Sequence, residues 1–182
     1  MGIIAWEGPA GSGKSWRIRQ MQAGEDVTIL ERPKLPRNLG PALGAWSSSW
    51  LEYQAVSAAV MWPKRTFVVD RFLLSRWVYR AIEEGELDEF KTRRRLQGCW
   101  DALVTMAQGE AWRRMGVWVN EPPQVLLNVL LPDLEELCER RRSGLADGKT
   151  YPFSPATELT LYAQVARLAD GLPGVTVRIV RS

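Results

Sequence analysis

The stretch GPAGSGKS, residues 8–15, decides how this chain folds. Two glycines separated by four residues are followed directly by lysine and serine. Glycines allow consecutive backbone N–H groups to turn around a polyphosphate, and the helix that follows adds the positive end of its dipole. In this pattern Lys14 reaches the terminal phosphates and the Ser15 hydroxyl takes a Mg²⁺ position. The stretch therefore predicts a polyphosphate-binding loop.

The flanking sequence supplies the strand and the helix that such a loop requires. Residues 3–6, IIAW, are typical of a short buried strand, and residues 16–21 continue as a helix. The alternative interpretation is a glycine-rich turn that binds nothing. We favour a nucleoside triphosphate site, ATP with Mg²⁺. The residues expected to bind its phosphates are Gly8, Gly11, Ser12, Gly13, Lys14 and Ser15.

Composition limits the classes of function. With 182 residues, of which 46% are hydrophobic, residues 1–182 are expected to form a single domain around one core. The net charge of +3 suits anionic small molecules as well as nucleic acid. The absence of histidine means that a carboxylate must carry any proton transfer. Cys99 and Cys138 lie far apart and are expected to be reduced thiols of a cytoplasmic protein without a membrane partner.

Strand and helix patterns alternate along the rest of the chain. Further apolar, strand-like runs occupy residues 27–30, 66–69, 125–131 and 175–180. Helical patterns occupy residues 47–61, 87–115, 134–142 and 157–168. This alternation predicts a three-layer α/β fold of the P-loop NTPase type, with a five-stranded parallel sheet flanked by helices. Ligands of such sheets bind at the carboxyl ends of the strands.

Charged residues stand at those carboxyl ends. Glu7 precedes the loop, Glu31 and Arg32 follow the second strand, and Asp70 and Arg71 follow the third. An acid after an apolar strand has the form of a Walker B element, so Asp70 is predicted to share Mg²⁺ with the P-loop serine. The alternative for Asp70 and Arg71 is a local cap or turn pair. In the context of a P-loop we favour the metal site.

A longer segment contains Asp70, Arg71, Phe72, Ser75 and Tyr79. It resembles the Asp-Arg-aromatic segment of thymidylate kinases, in which Ser and Tyr follow at these intervals. Residues 6–15 resemble the opening of thymidylate kinases and of deoxynucleoside kinases alike, and residues 126–142 resemble their fourth strand and the approach to their lid. The chain is thus similar over most of its length to the P-loop nucleoside and nucleotide kinases.

This resemblance implies roles for the residues that match it. Arg71 would grip the phosphate of a nucleoside monophosphate, Arg32 would be a second phosphate contact, and Asp70 would organise Mg²⁺. Tyr79 would lie near the acceptor nucleoside. Glu31 falls where the family keeps a charged pair, and it would become a general base if the acceptor were a nucleoside.

The resemblance also implies a short lid, at about residues 140–153, that carries a catalytic arginine. The P-loop of this chain contains no arginine, so the cation that stabilises the transition state must come from elsewhere. Arg140 and Arg142 are the candidates, with Arg141 and Lys149, around a flexible loop at residues 143–148. The alternative for these arginines is a solvated helix end that interacts with its dipole.

Two features depart from the thymidylate kinase pattern. Arg80 follows Tyr79 where the family generally has Gln. On the second predicted helix, Trp50, Tyr53 and Gln54 resemble instead the base-reading residues of deoxynucleoside kinases, in which a side-chain amide reads a base edge. For Tyr53 the alternative is packing in the core, given its helical period.

The sequence therefore predicts an enzyme of nucleotide biosynthesis, a homodimer, that transfers the γ-phosphoryl group of ATP to a (deoxy)nucleoside monophosphate. A monophosphate is favoured because Arg71 and Arg32 offer two charge-assisted contacts. The alternatives are a deoxynucleoside kinase and, third, a non-kinase P-loop ATPase. No stable nucleic-acid partner is expected, because the arginine run at residues 93–95 lacks accompanying aromatic residues.

Overall fold

The computed structural model describes residues 2–21, 26–31, 41–149, 151 and 153–181, with the side chains of residues 41–47 left out. Strands and helices alternate within these ranges. The strands are β1 (Gly2–Glu7), β2 (Val27–Leu30), β3 (Thr66–Asp70), β4 (Gln124–Leu130) and β5 (Val175–Val180). The helices are α1 (Lys14–Gln20), α2 (Pro41–Met61), α3 (Leu73–Glu84), α4 (Glu89–Met115), α5 (Leu134–Ala146) and α6 (Pro155–Ala169).

The strands form one five-stranded sheet in the order β2-β3-β1-β4-β5, and every pairing is parallel. The central strand β1 pairs on one side with β3, Ile3 opposite Phe67, and on the other side with β4, Ile3 opposite Val125. Because all strands run the same way, their carboxyl ends meet at one edge of the sheet. The predicted five-stranded parallel sheet with flanking helices is confirmed.

The core lies between the sheet and a group of mutually packed helices. Helices α2 and α4 pack together, and α6 packs on both α3 and α4. The central strands are buried on both faces, which explains why they are continuous apolar runs in the sequence. Large side chains that fill this core include Trp100, Tyr162, Phe72 and Leu127.

Helix α4 (Glu89–Met115) closely matches the helical pattern predicted at residues 87–115. Helix α3 precedes it outside the predicted helical ranges and ends at the left-handed Gly85 (φ 77°), and α2 begins at Pro41, earlier than predicted. Helix α5 continues to Ala146, so the first part of the predicted flexible loop at residues 143–148 is helical. Gly144 allows Tyr151 to pack against the last turns of this helix, since a Cβ at residue 144 would lie 2.1 Å from the hydroxyl of Tyr151.

The described ranges contain no helix that is both long and apolar enough to cross a membrane. Cys99 and Cys138 are both free thiols and only partly buried.

Candidate functional site

The glycine-rich loop connects β1 to α1 in a conformation that its glycines make accessible. Gly8, Gly11 and Gly13 have φ angles of 132°, 88° and 97°, which side chains with a Cβ rarely adopt. At Gly8 a Cβ would lie 2.4 Å from the carbonyl oxygen of Leu130, so the loop passes directly over the end of β4. The loop therefore has the strand–loop–helix setting predicted for it.

Lys14 lies inside this loop. Its side chain is buried, with 6% of the residue exposed, and Nζ donates hydrogen bonds to the carbonyl oxygens of Gly8 (2.9 Å) and Pro9 (2.7 Å). The hydroxyl oxygen of Ser12 lies 3.3 Å from Nζ. The ammonium group is thus surrounded by acceptors of the loop itself.

The environment of Lys14 lowers its pKa from 10.5 to about 8. Burial of the ammonium is the largest cause, and the positive charge of Arg71 acts in the same direction. The carboxylates of Asp70, Glu7 and Glu158 oppose the shift. The negative charge of an anion bound in the loop would favour the protonated form of Lys14 and so offset the effect of its burial.

Ser15 and Asp70 meet at the start of α1. The Ser15 hydroxyl donates to Oδ2 of Asp70 over 3.5 Å, and Oδ1 of Asp70 is buried without a hydrogen-bond partner among the described residues. A hydroxyl and a carboxylate are oxygen ligands of the kind that Mg²⁺ prefers, and this ion commonly uses one or two carboxylates together with substrate phosphates. The described residues hold no cluster of three or more acidic, Cys or His side chains. The pair therefore fits Mg²⁺ bound jointly with phosphates.

Arg71 has an unusual backbone. Its φ of 65° makes it the one non-glycine residue with positive φ in the described part of the chain. Its N–H donates to the carbonyl oxygen of Trp6 (3.0 Å), and its guanidinium carbon lies 5.3 Å from the ring centroid of Tyr79. Left-handed backbone is unfavourable for a residue with a Cβ, and it persists chiefly where the surrounding structure requires it, often at functional sites.

Glu7 holds the segment that follows Arg71. The carboxylate is completely buried, and Oε1 accepts hydrogen bonds from the backbone N–H groups of Phe72 (2.7 Å) and Leu74 (2.9 Å). Oε2 accepts from the hydroxyl of Ser75 at 2.5 Å. A carboxylate at the end of β1 thus satisfies amides at the start of α3, in the manner of a helix cap supplied from a distance. The sequence showed Glu7 at a strand end but did not indicate this role.

The charged strand ends open into one cavity of about 600 Å³ on the β3 side of the loop. Its lining includes Ser15, Arg19, Glu31, Asp70 and Arg71, so three of the predicted strand-end charges come together as expected. This volume is within the usual range for small-molecule sites. Of the two other charges predicted at strand ends, Glu7 is not among the described residues that line this cavity, and Arg32 lies outside the described residues. A second cavity, of about 390 Å³, lies on the β4 side of the loop.

Three consecutive arginines of α5 have different surroundings. Arg140 donates from Nη1 to the carbonyl oxygen of Ser12 (2.9 Å) and from Nη2 to Oε1 of Glu136 (2.5 Å). Arg142 is exposed. Arg141 is buried, with Nε on the carbonyl oxygen of Ala10 (3.0 Å). Of the two predicted catalytic arginines, Arg140 is therefore the one that lies against the loop.

Glu158 completes the support of the loop from α6. Its Oε2 accepts hydrogen bonds from Nη2 of Arg141 (2.5 Å) and from the backbone N–H of Ala10 (3.1 Å). Glu158 was not among the predicted site residues. The sequence does contain an indication that Glu158 is buried. This acid lies on the same helical face as the buried Tyr162 and Val165, where an apolar residue would be expected.

The predicted base-reading residues of α2 are not among the described residues that line either of the two cavities. Tyr53 is partly buried and packs on the core, which is the alternative considered from its helical period. Trp50 is exposed, Gln54 is partly buried, and neither is among the residues described as lining the two cavities. Tyr79, the residue predicted to lie near the acceptor, packs between two side chains. Its ring centroid is 5.5 Å from that of Phe153, and the guanidinium of Arg71 lies over the same ring.

No protein-family model matches the chain, and no curated protein is significantly similar to it in sequence. Among solved structures, deoxyadenosine kinase from M. mycoides with bound dATP is 14% identical, with a TM-score of 0.46 over 98% of this chain and 90% of that chain. Thymidylate kinase from Ehrlichia chaffeensis is 14% identical, with a TM-score of 0.38 over 92% of this chain and 97% of that chain. These are the two kinase classes that the sequence resembles.

Proposed function

We propose that this chain is a phosphotransferase that moves the γ-phosphoryl group of ATP, with Mg²⁺, to a (deoxy)nucleoside monophosphate. The products are ADP and the nucleoside diphosphate. The observation that carries the proposal is the cavity on the β3 side of the loop, where Ser15, Asp70 and Arg71 line one wall. In this cavity Arg71 and the Ser15–Asp70 pair, which fits Mg²⁺, lie beside the phosphate-binding loop.

The donor side is supported by the loop and Lys14. Carbonyl oxygens are the present partners of the ammonium group, and phosphate oxygens would replace them with stronger, charge-assisted hydrogen bonds. Ser15 and Asp70 would hold Mg²⁺, which when bound neutralises negative charge on the β- and γ-phosphates. Positioning and charge stabilisation are the main requirements of phosphoryl transfer, and these residues supply both.

The acceptor side is supported by Arg71. Arg71 lines the cavity, its guanidinium packs over Tyr79, and the adjoining turn is held by the Glu7 carboxylate. A guanidinium matches a phosphate dianion with two parallel hydrogen bonds. Such a contact favours a monophosphate acceptor over an uncharged nucleoside.

Arg140 is the candidate for the arginine that acts in the transition state. It already lies against the loop at Ser12, and its ion pair with Glu136 is partly exposed, so it can exchange partners at small cost. Arg142 is exposed on the same helix and is not among the described residues that contact the loop.

One observation favours a second candidate, a deoxynucleoside kinase. Glu31 is an exposed residue and lines the same cavity as Asp70 and Arg71. A sugar hydroxyl needs a base, and in a chain without histidine a carboxylate must provide it.

A coupled assay of ADP production over a panel of nucleosides and nucleoside monophosphates, with ATP and Mg²⁺, tests the proposal. We expect at least one monophosphate to have a kcat/KM about a hundredfold or more above that of its nucleoside. A nucleoside as the best acceptor would favour the second candidate. ATP hydrolysis without transfer to any acceptor would contradict both.

A further inference from the structure

The cavity on the β4 side of the loop has a lining unlike that of the acceptor side. Its volume is about 390 Å³, and it is bounded by Ser12, Gly13, Trp16, Arg17, Leu130 and Arg140. Among these described residues there is no carboxylate, so nothing in the lining repels a phosphorylated ligand. Ser12 and Gly13 belong to the loop itself, and the cavity therefore adjoins the phosphate-binding backbone directly.

The two cavities lie on opposite sides of the loop. The one on the β3 side holds Asp70, Arg71 and Glu31, where the proposed function puts the acceptor and the transferred phosphoryl group. If the γ-phosphate of a bound nucleotide faces that side, its nucleoside must leave the loop in the other direction. The β4-side cavity begins at that point, and its volume is within the range for small-molecule sites.

Trp16 is the distinctive wall of this cavity. It stands two residues after Lys14 in the first turn of α1, and 54% of it is exposed. The guanidinium carbon of Arg17 lies 5.2 Å from its ring centroid. An indole and a guanidinium are both flat groups on which a nucleobase stacks.

We propose that the base of the donor nucleotide stacks on Trp16 in the β4-side cavity. The inference rests on the proposed function, because it assumes that a nucleoside triphosphate occupies the loop. Stacking uses the face of the base, and Trp16 would therefore contribute to the affinity for nucleoside triphosphates without contributing to that for inorganic triphosphate.

Calorimetric titration with ATP and with inorganic triphosphate separates the base from the phosphates. We expect Trp16→Leu to weaken ATP binding about tenfold, the scale of one base–aromatic stack, and to change triphosphate binding less than twofold. Trp16→Phe, which keeps an aromatic ring, should stay within about threefold of the wild type for ATP. Trp62, 52% exposed just beyond the end of α2, gives a matched control, and Trp62→Leu should leave both affinities unchanged.

Three results would overturn the inference while leaving the proposed function intact. One is an ATP affinity unchanged in Trp16→Leu, and another is equal weakening of ATP and triphosphate, which would make Trp16 a support of the loop. The third is a wild-type protein that binds ATP no more tightly than triphosphate. Wild-type protein that binds neither ligand would overturn the proposed function and the inference together.

Discussion

Nη2 of Arg141 lies 2.5 Å from Oε2 of Glu158, and both side chains are almost completely buried. The same two residues hold Ala10 from both sides, since Arg141 donates to its carbonyl oxygen and Glu158 accepts from its N–H. The phosphate-binding loop is thereby attached to α5 and to α6. A third contact, from Nη1 of Arg141 to the carbonyl oxygen of Phe153 (2.7 Å), connects the chain between these helices.

Removal of one partner of this pair should destabilise the protein more than removal of both. Arg141→Met or Glu158→Leu alone leaves a buried charge without its partner, and each should lower the free energy of unfolding by about 3–5 kcal/mol. The double variant replaces the pair by apolar groups and should recover much of that loss. Urea denaturation measures the three values, with Arg142→Met, exposed on the same helix, as a control near the wild type. Single variants within about 1 kcal/mol of the wild type would contradict a structural role for the pair.

The lowered pKa of Lys14, about 8, predicts that polyphosphate binding weakens as pH rises. Only the ammonium form attracts phosphate, and in the free protein it is lost as pH passes through about 8. A bound polyphosphate favours the proton, so affinity should fall by up to about tenfold between pH 7 and pH 9. Calorimetry with inorganic triphosphate over this range checks the slope.

Lys14→Ala is the control for this pH dependence. It should bind triphosphate weakly and with a much flatter profile, transfer phosphoryl groups more than about a hundredfold more slowly, and melt no lower than the wild type. The last expectation follows because Lys14 buries a charge rather than apolar surface. The same slope in Lys14→Ala would assign the titration to another group.

Arg71 allows backbone strain to be separated from acceptor binding. Both Arg71→Ala and Arg71→Gly remove the guanidinium, and both should raise the acceptor KM strongly while sparing ATP binding. Only glycine adopts a φ of 65° without strain, so Arg71→Gly should be more stable than Arg71→Ala by about 1 kcal/mol.

Thermal unfolding and steady-state kinetics measure these two effects. Arg80→Ala, an exposed position on α3, is the matched control and should change neither. An unchanged acceptor KM in both Arg71 variants would give Arg71 a structural role only.

Glu31 separates the two candidate acceptors. A monophosphate oxygen is already anionic and needs positioning rather than deprotonation, so Glu31→Gln should retain at least about a tenth of kcat on the best acceptor. Its pH–rate profile should keep every limb of the wild-type profile. A fall of about three orders of magnitude in kcat, with acceptor binding preserved, would instead identify Glu31 as a general base and the protein as a deoxynucleoside kinase.

Much of the fold could be predicted because its signals are local. The strands at residues 27–30 and 175–180 have the bounds expected from their runs of strand-forming residues, even though both lie at the edges of the sheet and are only partly buried. The loop at residues 8–15 is recognisable because its backbone needs positive φ angles, which glycine adopts readily. The convergence of Glu31, Asp70 and Arg71 follows from parallel strands that end at one edge.

The contacts that support the site could not be predicted from local sequence patterns. Glu7 is joined to residues more than sixty positions away in the chain, and no local pattern marks which carboxylate will satisfy the amides that begin α3. Arg140, Arg141 and Arg142 have the same chemistry and adjacent positions, yet successive residues of a helix point about 100° apart. One lies on the loop, one is buried beneath it and one faces solvent, and the packing of α5 against Ala10 and Glu158 alone distinguishes them.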